Sequence, residues 1–225
     1  MDVRFLDGHG VVFVSGIDTG VGKTFVTGEM ARLAIERGRD AITVKMVQTG
    51  NVGRSEDIDM HRRIMGVSNF PEDDEGLTVP QMFAFPGSGH LAARLEGRRV
   101  NLLRITRSVE ECARRRDLVL VESAGGLFVP LTASTLTIDY LAERGWPLVL
   151  VTNGRLGSIN HTLMSIDVAR SRGIRLIAVV YDWLPNVDPV IDKDTPSAIR
   201  AYLKKLNMRV PFVFCPRIAD GLSRS

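Results

Sequence analysis

Ser15-Gly-Ile-Asp-Thr-Gly-Val-Gly-Lys-Thr24 lies between an apolar run, Val11–Val14, and a helix-like run that starts near Lys23. A glycine-rich turn of this kind aims several backbone N–H groups at one point, beside the positive end of a helix, and so makes a place for phosphate. Lys23 supplies a point charge for a phosphate oxygen, and the Thr24 hydroxyl suits Mg²⁺. The stretch reads as the cradle of a nucleoside triphosphate, formed by Thr19, Gly20, Val21, Gly22, Lys23, Thr24 and Phe25. Thr19 either adds a hydroxyl contact or is an ordinary turn residue. Five residues separate Gly16 from Gly22, one more than the common cradle has, and position 17 is Ile where a glycine is usual.

Other chemistry-bearing residues also follow apolar runs. Lys45 comes at the end of Ala41–Val44, a few residues before Thr49-Gly50. If its strand neighbours the cradle, its ammonium stabilises charge on a transferred phosphoryl group; otherwise it is a solvated lysine at a strand end. Asp57, in Ser55-Glu-Asp-Ile-Asp, starts a helix, where an acidic residue offsets the dipole whether or not it serves a site. Glu122 closes Leu118-Val-Leu-Val-Glu122, with Ser123, Ala124 and Gly125 directly after it. A carboxylate there suits a second magnesium ligand, since near phosphates it would otherwise lack a cation. Gly157, Ser158 and Asn160 open a helix after Leu148–Val151. Free N–H groups there would hold a carboxylate, or Ser158 is an ordinary N-cap. The four histidines show no metal-ligand spacing, and His61-Arg-Arg63 reads as a solvated helix face.

The elements that must position these residues alternate along the chain. Val11–Val14, Ala41–Val44, Leu118–Val121, Leu148–Val151, Leu176–Val180 and Val210–Phe214 are short, aliphatic and apolar on both faces, as in strands covered on both sides. Helix-like segments near 23–38, 57–65, 102–116, 136–144, 158–172 and 195–206 separate them, and 66–90 reads as a long irregular excursion. The pattern predicts an α/β fold, one doubly wound, mostly parallel sheet with helices on both faces, over residues 1–225 as a single domain. Ligands of such sheets bind beyond the carboxyl ends of the strands, where all the residues above fall. With 44% hydrophobic residues and a net charge of +3, the chain supports a sizeable core and offers no nucleic-acid patch; Arg114-Arg-Arg116 reads as a solvated helix end. Neither a signal peptide nor a membrane span of about 18 apolar residues is read. Two isolated cysteines, Cys112 and Cys215, fit a reducing compartment, and a cytoplasmic location is expected.

In order and spacing these pieces resemble dethiobiotin synthetase, a family of ATP-dependent carboxylases of biotin biosynthesis. The family's loop, Gly-Thr-Asp-Thr-x-Val-Gly-Lys-Thr, is similar to Gly16-Ile-Asp-Thr-Gly-Val-Gly-Lys-Thr24, extra residue included. The likeness continues through Lys45, Thr49-Gly50, Ser55-Glu-Asp57, Pro86-Gly-Ser-Gly-His90, Glu122-Ser-Ala-Gly-Gly126, Val129-Pro-Leu131 and Leu156-Gly-Ser-Ile-Asn-His161. It implies a homodimeric ligase acting on 7,8-diaminononanoate, CO₂ and ATP or another nucleoside triphosphate. Carried over by position, Thr24, Asp57 and Glu122 would hold Mg²⁺, and Lys45 would act at the carbamate and γ-phosphate. Thr49 would hydrogen-bond the carbamate, and Gly157, Ser158 and Asn160 would receive the substrate carboxylate from the neighbouring subunit. Asp182, Trp183, Pro216 and Arg217 would flank the base. Three positions depart from the family: Met46 and Gly89 where Pro is usual, and Asp182 where an Asn usually reads the base. The other class with such a sheet, partition- or scaffold-type NTPase switches, carries a further Lys near the start of its loop, and residues 16–22 contain none.

Overall fold

A computed structural model describes residues 1–184 and 187–216. The first half of the chain forms β1 (Val11–Gly16), α1 (Lys23–Glu36), β2 (Ala41–Lys45), β3 (Gln48–Thr49), α2 (Glu56–Met65), α3 (Pro71–Asp74) and β4 (Met82–Phe83). There follow α4 (Gly89–Leu95), α5 (Leu102–Arg115), β5 (Leu118–Gly126), α6 (Thr137–Arg144) and β6 (Leu148–Asn153). The last elements are α7 (Ser158–Ser171), β7 (Leu176–Asp182), α8 (Pro189–Lys205) and β8 (Phe212–Phe214).

Among the described residues six strands form one sheet in the order β2-β5-β1-β6-β7-β8, every adjacent pair parallel. β2 and β6 are buried at every residue, so helices cover both faces, and the continuous Val/Leu/Ile runs are the consequence. β3 and β4 form a separate parallel pair. The helices begin where local chemistry allows. Ser55 caps α2 by accepting from the Ile58 amide at 3.2 Å, and Asn101 caps α5 by accepting from Arg104 at 3.0 Å. α5 buries Ile105, Val109 and Cys112, one face of a helix.

Four expectations change. The excursion at 66–90 contains α3 and β4 and opens α4, which the sequence reading did not foresee. α8 starts at Pro189 under an Asp188 cap, not near 195, and runs through Pro196; a proline suits a first turn, yet this one lies inside the helix. The strand read as Val210–Phe214 is ordered as β8 only over Phe212–Phe214. Arg116 is not a solvated helix end: its guanidinium pairs with Glu72 at 2.8 Å and Asp40 at 3.0 Å, pinning the end of α5 to two other segments.

α1 and α2 cross at Gly28. A Cβ there would stand 3.1 Å from two Ile64 side-chain carbons and 3.3 Å from the His61 Cα, so the missing side chain lets α2 sit against the helix that carries the cradle. Gly28→Leu should therefore cost about 1–3 kcal/mol through overpacking. Urea unfolding measures it, and wild-type stability in that variant would show that the helices do not meet through this position.

Candidate active site

A cleft of about 680 Å³ opens where the carboxyl ends of the central strands meet the cradle; Gly20, Lys23, Lys45, Asp57 and Glu122 are among the residues that line it. Gly22 is the N-cap of α1, in the left-handed region at φ 95°, and no side chain caps the helix there. The first amides of α1 are thus not taken up by a capping side chain, and they point toward the cleft mouth where an anion would sit. A Cβ at Gly22 would collide with the Asp182 carboxylate, which is buried at the end of β7 and also lines the cleft. Lys23 donates to the Asp18 carbonyl at 2.8 Å, across the loop. Burial, then the neighbouring Lys45 charge, pulls its ammonium down to about 8, against the raising effect of Glu122, Asp57 and Asp18.

Lys45 does not stand on a strand adjacent to β1, because β5 lies between. It reaches the site through register: Lys45 pairs with Glu122 in the β2–β5 ladder. Its Nζ lies 2.6 Å from Glu122 Oε1 and 2.6 Å from Asp57 Oδ2, and donates to the Ser123 carbonyl at 3.3 Å. Burial opposes the charge on Lys45, but Glu122 and Asp57 outweigh it and hold the ammonium up at about 12. The reading of a solvated lysine is excluded. Glu122 has no exposed surface, and although burial works against ionisation, Lys45 and His61 hold its carboxyl well below the usual range. Thr24 Oγ1 stands 3.0 Å from Asp57 Oδ1 and 3.1 Å from Glu122 Oε1.

Two carboxylates, each within hydrogen-bond distance of one hydroxyl, are a hard-oxygen donor set. Among the described residues no three His, Cys, Asp or Glu side chains form a complete metal cage. The set instead suits Mg²⁺, which takes one or two carboxylates and leaves other positions to water and phosphates. The Lys45 ammonium, held by both carboxylates, marks the place as one that accepts a cation.

Thr19, Gly20, Gly22, Lys23, Thr24, Phe25, Thr49, Asp57, Glu122, Ala124, Gly125 and Asp182 all line the cleft. Val21 is buried beneath the loop, and the Ser123 hydroxyl turns to Ser15 and the Gly125 carbonyl, so neither lines it. Trp183 and Pro216 lie outside its lining as well; Trp183 stacks on Phe214, with ring centroids 5.2 Å apart. Arg217 falls outside the described residues. Gly157, Ser158 and Asn160 stand at the start of α7 and do not line this cleft. Ser158 is not the cap of its helix: Gly157 takes that place, and the Ser158 hydroxyl donates to Asn153 Oδ1 at 2.8 Å.

The sequence reading missed Gln48, Glu56 and Met60, which line the cleft, and Leu184 beyond β7. Gln48 accepts from the Ser55 hydroxyl at 2.6 Å, joining β3 to the cap of α2; a lone glutamine between an apolar run and a turn gave no signal of this. The solvated-face reading of His61 is overturned, since His61 and Arg62 are buried against the sheet and only Arg63 is exposed.

A glycine-rich turn feeding a helix, on a parallel sheet whose strand ends bring lysines and carboxylates together, defines a P-loop nucleotide-binding protein. Its fold is similar to that of the cell division protein FtsY from Thermotoga maritima, with a TM-score of 0.53 at 14% identity over 94% of this chain and 66% of that one. Residues 10–211 match the AAA domain family. The chain is 43% identical to ATP-dependent dethiobiotin synthetase BioD 2 of Pasteurella multocida, over 90% of this chain and 95% of that protein. It is 48% identical to ATP-dependent dethiobiotin synthetase BioD of Chlorobaculum tepidum, over 87% and 82%. The chain belongs to the ATP-dependent dethiobiotin synthetase family. Among the described residues no helix is long and apolar enough to cross a membrane.

Lys23 gives a pH dependence with a definite sign. Its ammonium, lowered to about 8, is charged at neutral pH and loses its proton above that value. A polyphosphate pairs with the charged form, so nucleotide affinity should fall about tenfold by about pH 9, with proton uptake on binding there and almost none near about pH 6. Calorimetry in two buffers of different ionisation enthalpy reads the uptake directly; no uptake at the higher pH would contradict it.

Proposed function

We propose that this chain is a Mg²⁺-dependent dethiobiotin synthetase, a ligase that uses a nucleoside triphosphate to convert 7,8-diaminononanoate and CO₂ to dethiobiotin, releasing the diphosphate and phosphate. The observation that carries the reading is the meeting of Lys23, Lys45, Thr24, Asp57 and Glu122 at one end of a cleft, in a chain similar along most of its length to proteins of that name. A carbamate formed on one substrate amine attacks the γ-phosphoryl group through oxygen; the second amine then closes the ureido ring and expels phosphate.

Both partners of that attack are anions, so the residues have mainly to offset repulsion and fix geometry. Lys23 and the amides at the start of α1 hold the phosphates. Lys45 serves the carbamate and the γ-phosphoryl group, and Thr49 hydrogen-bonds the carbamate. Thr24, Asp57 and Glu122 hold magnesium, which, when bound, neutralises charge on the phosphates. Gly157, Ser158 and Asn160, which do not line their own cleft, take the substrate carboxylate in a second copy of the chain, which makes the working form a homodimer. The base lies toward Asp182, with Trp183 and Pro216 nearby. A carboxylate accepts hydrogen bonds and does not donate, whereas an amide does both, so Asp182 broadens or alters the preference for adenine. Residues 1–225 act as one domain, in the cytoplasm.

Phosphate release should rise when diaminononanoate and bicarbonate are added together to protein, Mg²⁺ and ATP, and CTP or GTP should support part of that rate. An inert diamine, with stimulation by DNA or lipid instead, would indicate a nucleotide switch. Lys45→Ala should lower turnover by about 10²-fold or more while nucleotide affinity changes by no more than about threefold. Loss of affinity in that variant would place Lys45 among the phosphate-holding groups.

A further inference from the structure

His61 and Arg62 carry no part of the chemistry above, yet both are buried, and His61 ends on a group that does. His61 Nε2 lies 2.8 Å from Glu122 Oε2, and His61 Nδ1 lies 2.9 Å from Thr43 Oγ1. Arg62 Nη1 donates to the same Thr43 hydroxyl at 2.8 Å. Its Nε and Nη2 donate to the two oxygens of Asp73, at 2.8 Å and 2.7 Å. Asp73 is held in turn by the Phe70 amide at 2.7 Å and the Thr78 hydroxyl at 2.6 Å.

The partners fix the direction of every bond in this row but the one between His61 and Thr43. A guanidinium has only donors, so the Thr43 oxygen accepts from Arg62 and still has a lone pair and a hydrogen to offer His61 Nδ1. An ionised Glu122 only accepts, so the imidazole carries a hydrogen on Nε2 and donates it to the carboxylate. The opposite arrangement would set a nitrogen lone pair against an ionised oxygen.

The two oxygens of Glu122 consequently differ. Oε2 is taken by His61, while Oε1 faces Lys45 Nζ at 2.6 Å and Thr24 Oγ1 at 3.1 Å. We infer that His61 is a positioning residue for the cation site: by occupying Oε2 it stops the carboxylate from turning, so that a single oxygen is presented beside Thr24 and Asp57. Asp73, Arg62 and Thr43 hold the imidazole in that pose. This rests on the reading of Thr24, Asp57 and Glu122 as the magnesium ligands. A carboxylate restricted to one oxygen suits a small octahedral ion; one free to offer both suits Ca²⁺.

Electron paramagnetic resonance of Mn²⁺ bound with a non-hydrolysable ATP analogue, competed with Mg²⁺ and with Ca²⁺, tests the inference without turnover. His61→Ala should weaken Mn²⁺ binding by about 10–100-fold and narrow the preference for Mg²⁺ over Ca²⁺. His61→Gln, whose amide nitrogen reaches about as far as Nε2, should restore most of both. Wild-type Mn²⁺ affinity in His61→Ala, or no recovery in His61→Gln, overturns the inference. Should His61→Ala not fold, Thr43→Val carries the test, because it keeps the imidazole and removes the hydroxyl that orients it; unchanged Mn²⁺ affinity there overturns the inference equally. Glu122→Gln separates the two levels. If it leaves Mn²⁺ affinity unchanged, the metal-site reading itself falls; if affinity depends on Glu122 but not on His61, only the positioning role falls.

Discussion

A carboxylate with no exposed surface sets the terms for this protein's centre. An ion taken out of water is tolerated only when opposite charge and hydrogen bonds surround it. Glu122 meets that condition through Lys45 from β2, His61 from α2 and Thr24 from α1. Three elements are therefore tied to one side chain on a central strand. The placement of β5 between β2 and β1 follows the same logic, since it puts Glu122 in reach of the lysine on one side and the cradle on the other.

α2 shows how one helix serves two environments. Asp57 looks into the cleft, and one turn later His61 and Arg62 face the sheet, where Thr43 and Glu122 receive them. Arg62 also lies over the Phe70 ring at 4.8 Å, so the buried guanidinium has a π-face as well as a carboxylate for company. Close passage of α1 at Gly28 keeps the two helices near enough for Thr24 and Asp57 to meet.

What the sequence made legible was whatever had a short-range signature. The cradle showed itself because glycines, a lysine and a threonine had to be contiguous, and the six strands because burial on both faces leaves unbroken apolar runs. By the residues alone, Lys45, Asp57 and Glu122 stood out only through their places after strands or at a helix start, and the family resemblance was needed to give them a joint role; their convergence depends on ladder register and strand order, which no local pattern encodes. His61 was misjudged for a related reason. His-Arg-Arg in a charged helix reads as a wet surface, and only the placement of Thr43, Glu122 and Asp73, all distant in sequence, makes its burial tolerable. α4 was missed because Pro86-Gly-Ser-Gly reads as a turn, whereas here it leads directly into a helix.

The contact between Gly22 and Asp182 joins the two ends of the cleft. The cradle is thus held both by its own Lys23–Asp18 bond and against a side chain from β7. If Asp182 flanks the base, as proposed, an exchange at 182 is not a purely local event, because a larger side chain there would press on the glycine at the start of α1. Under that proposal, selectivity and grip would be inherited together, since one steric contact serves both.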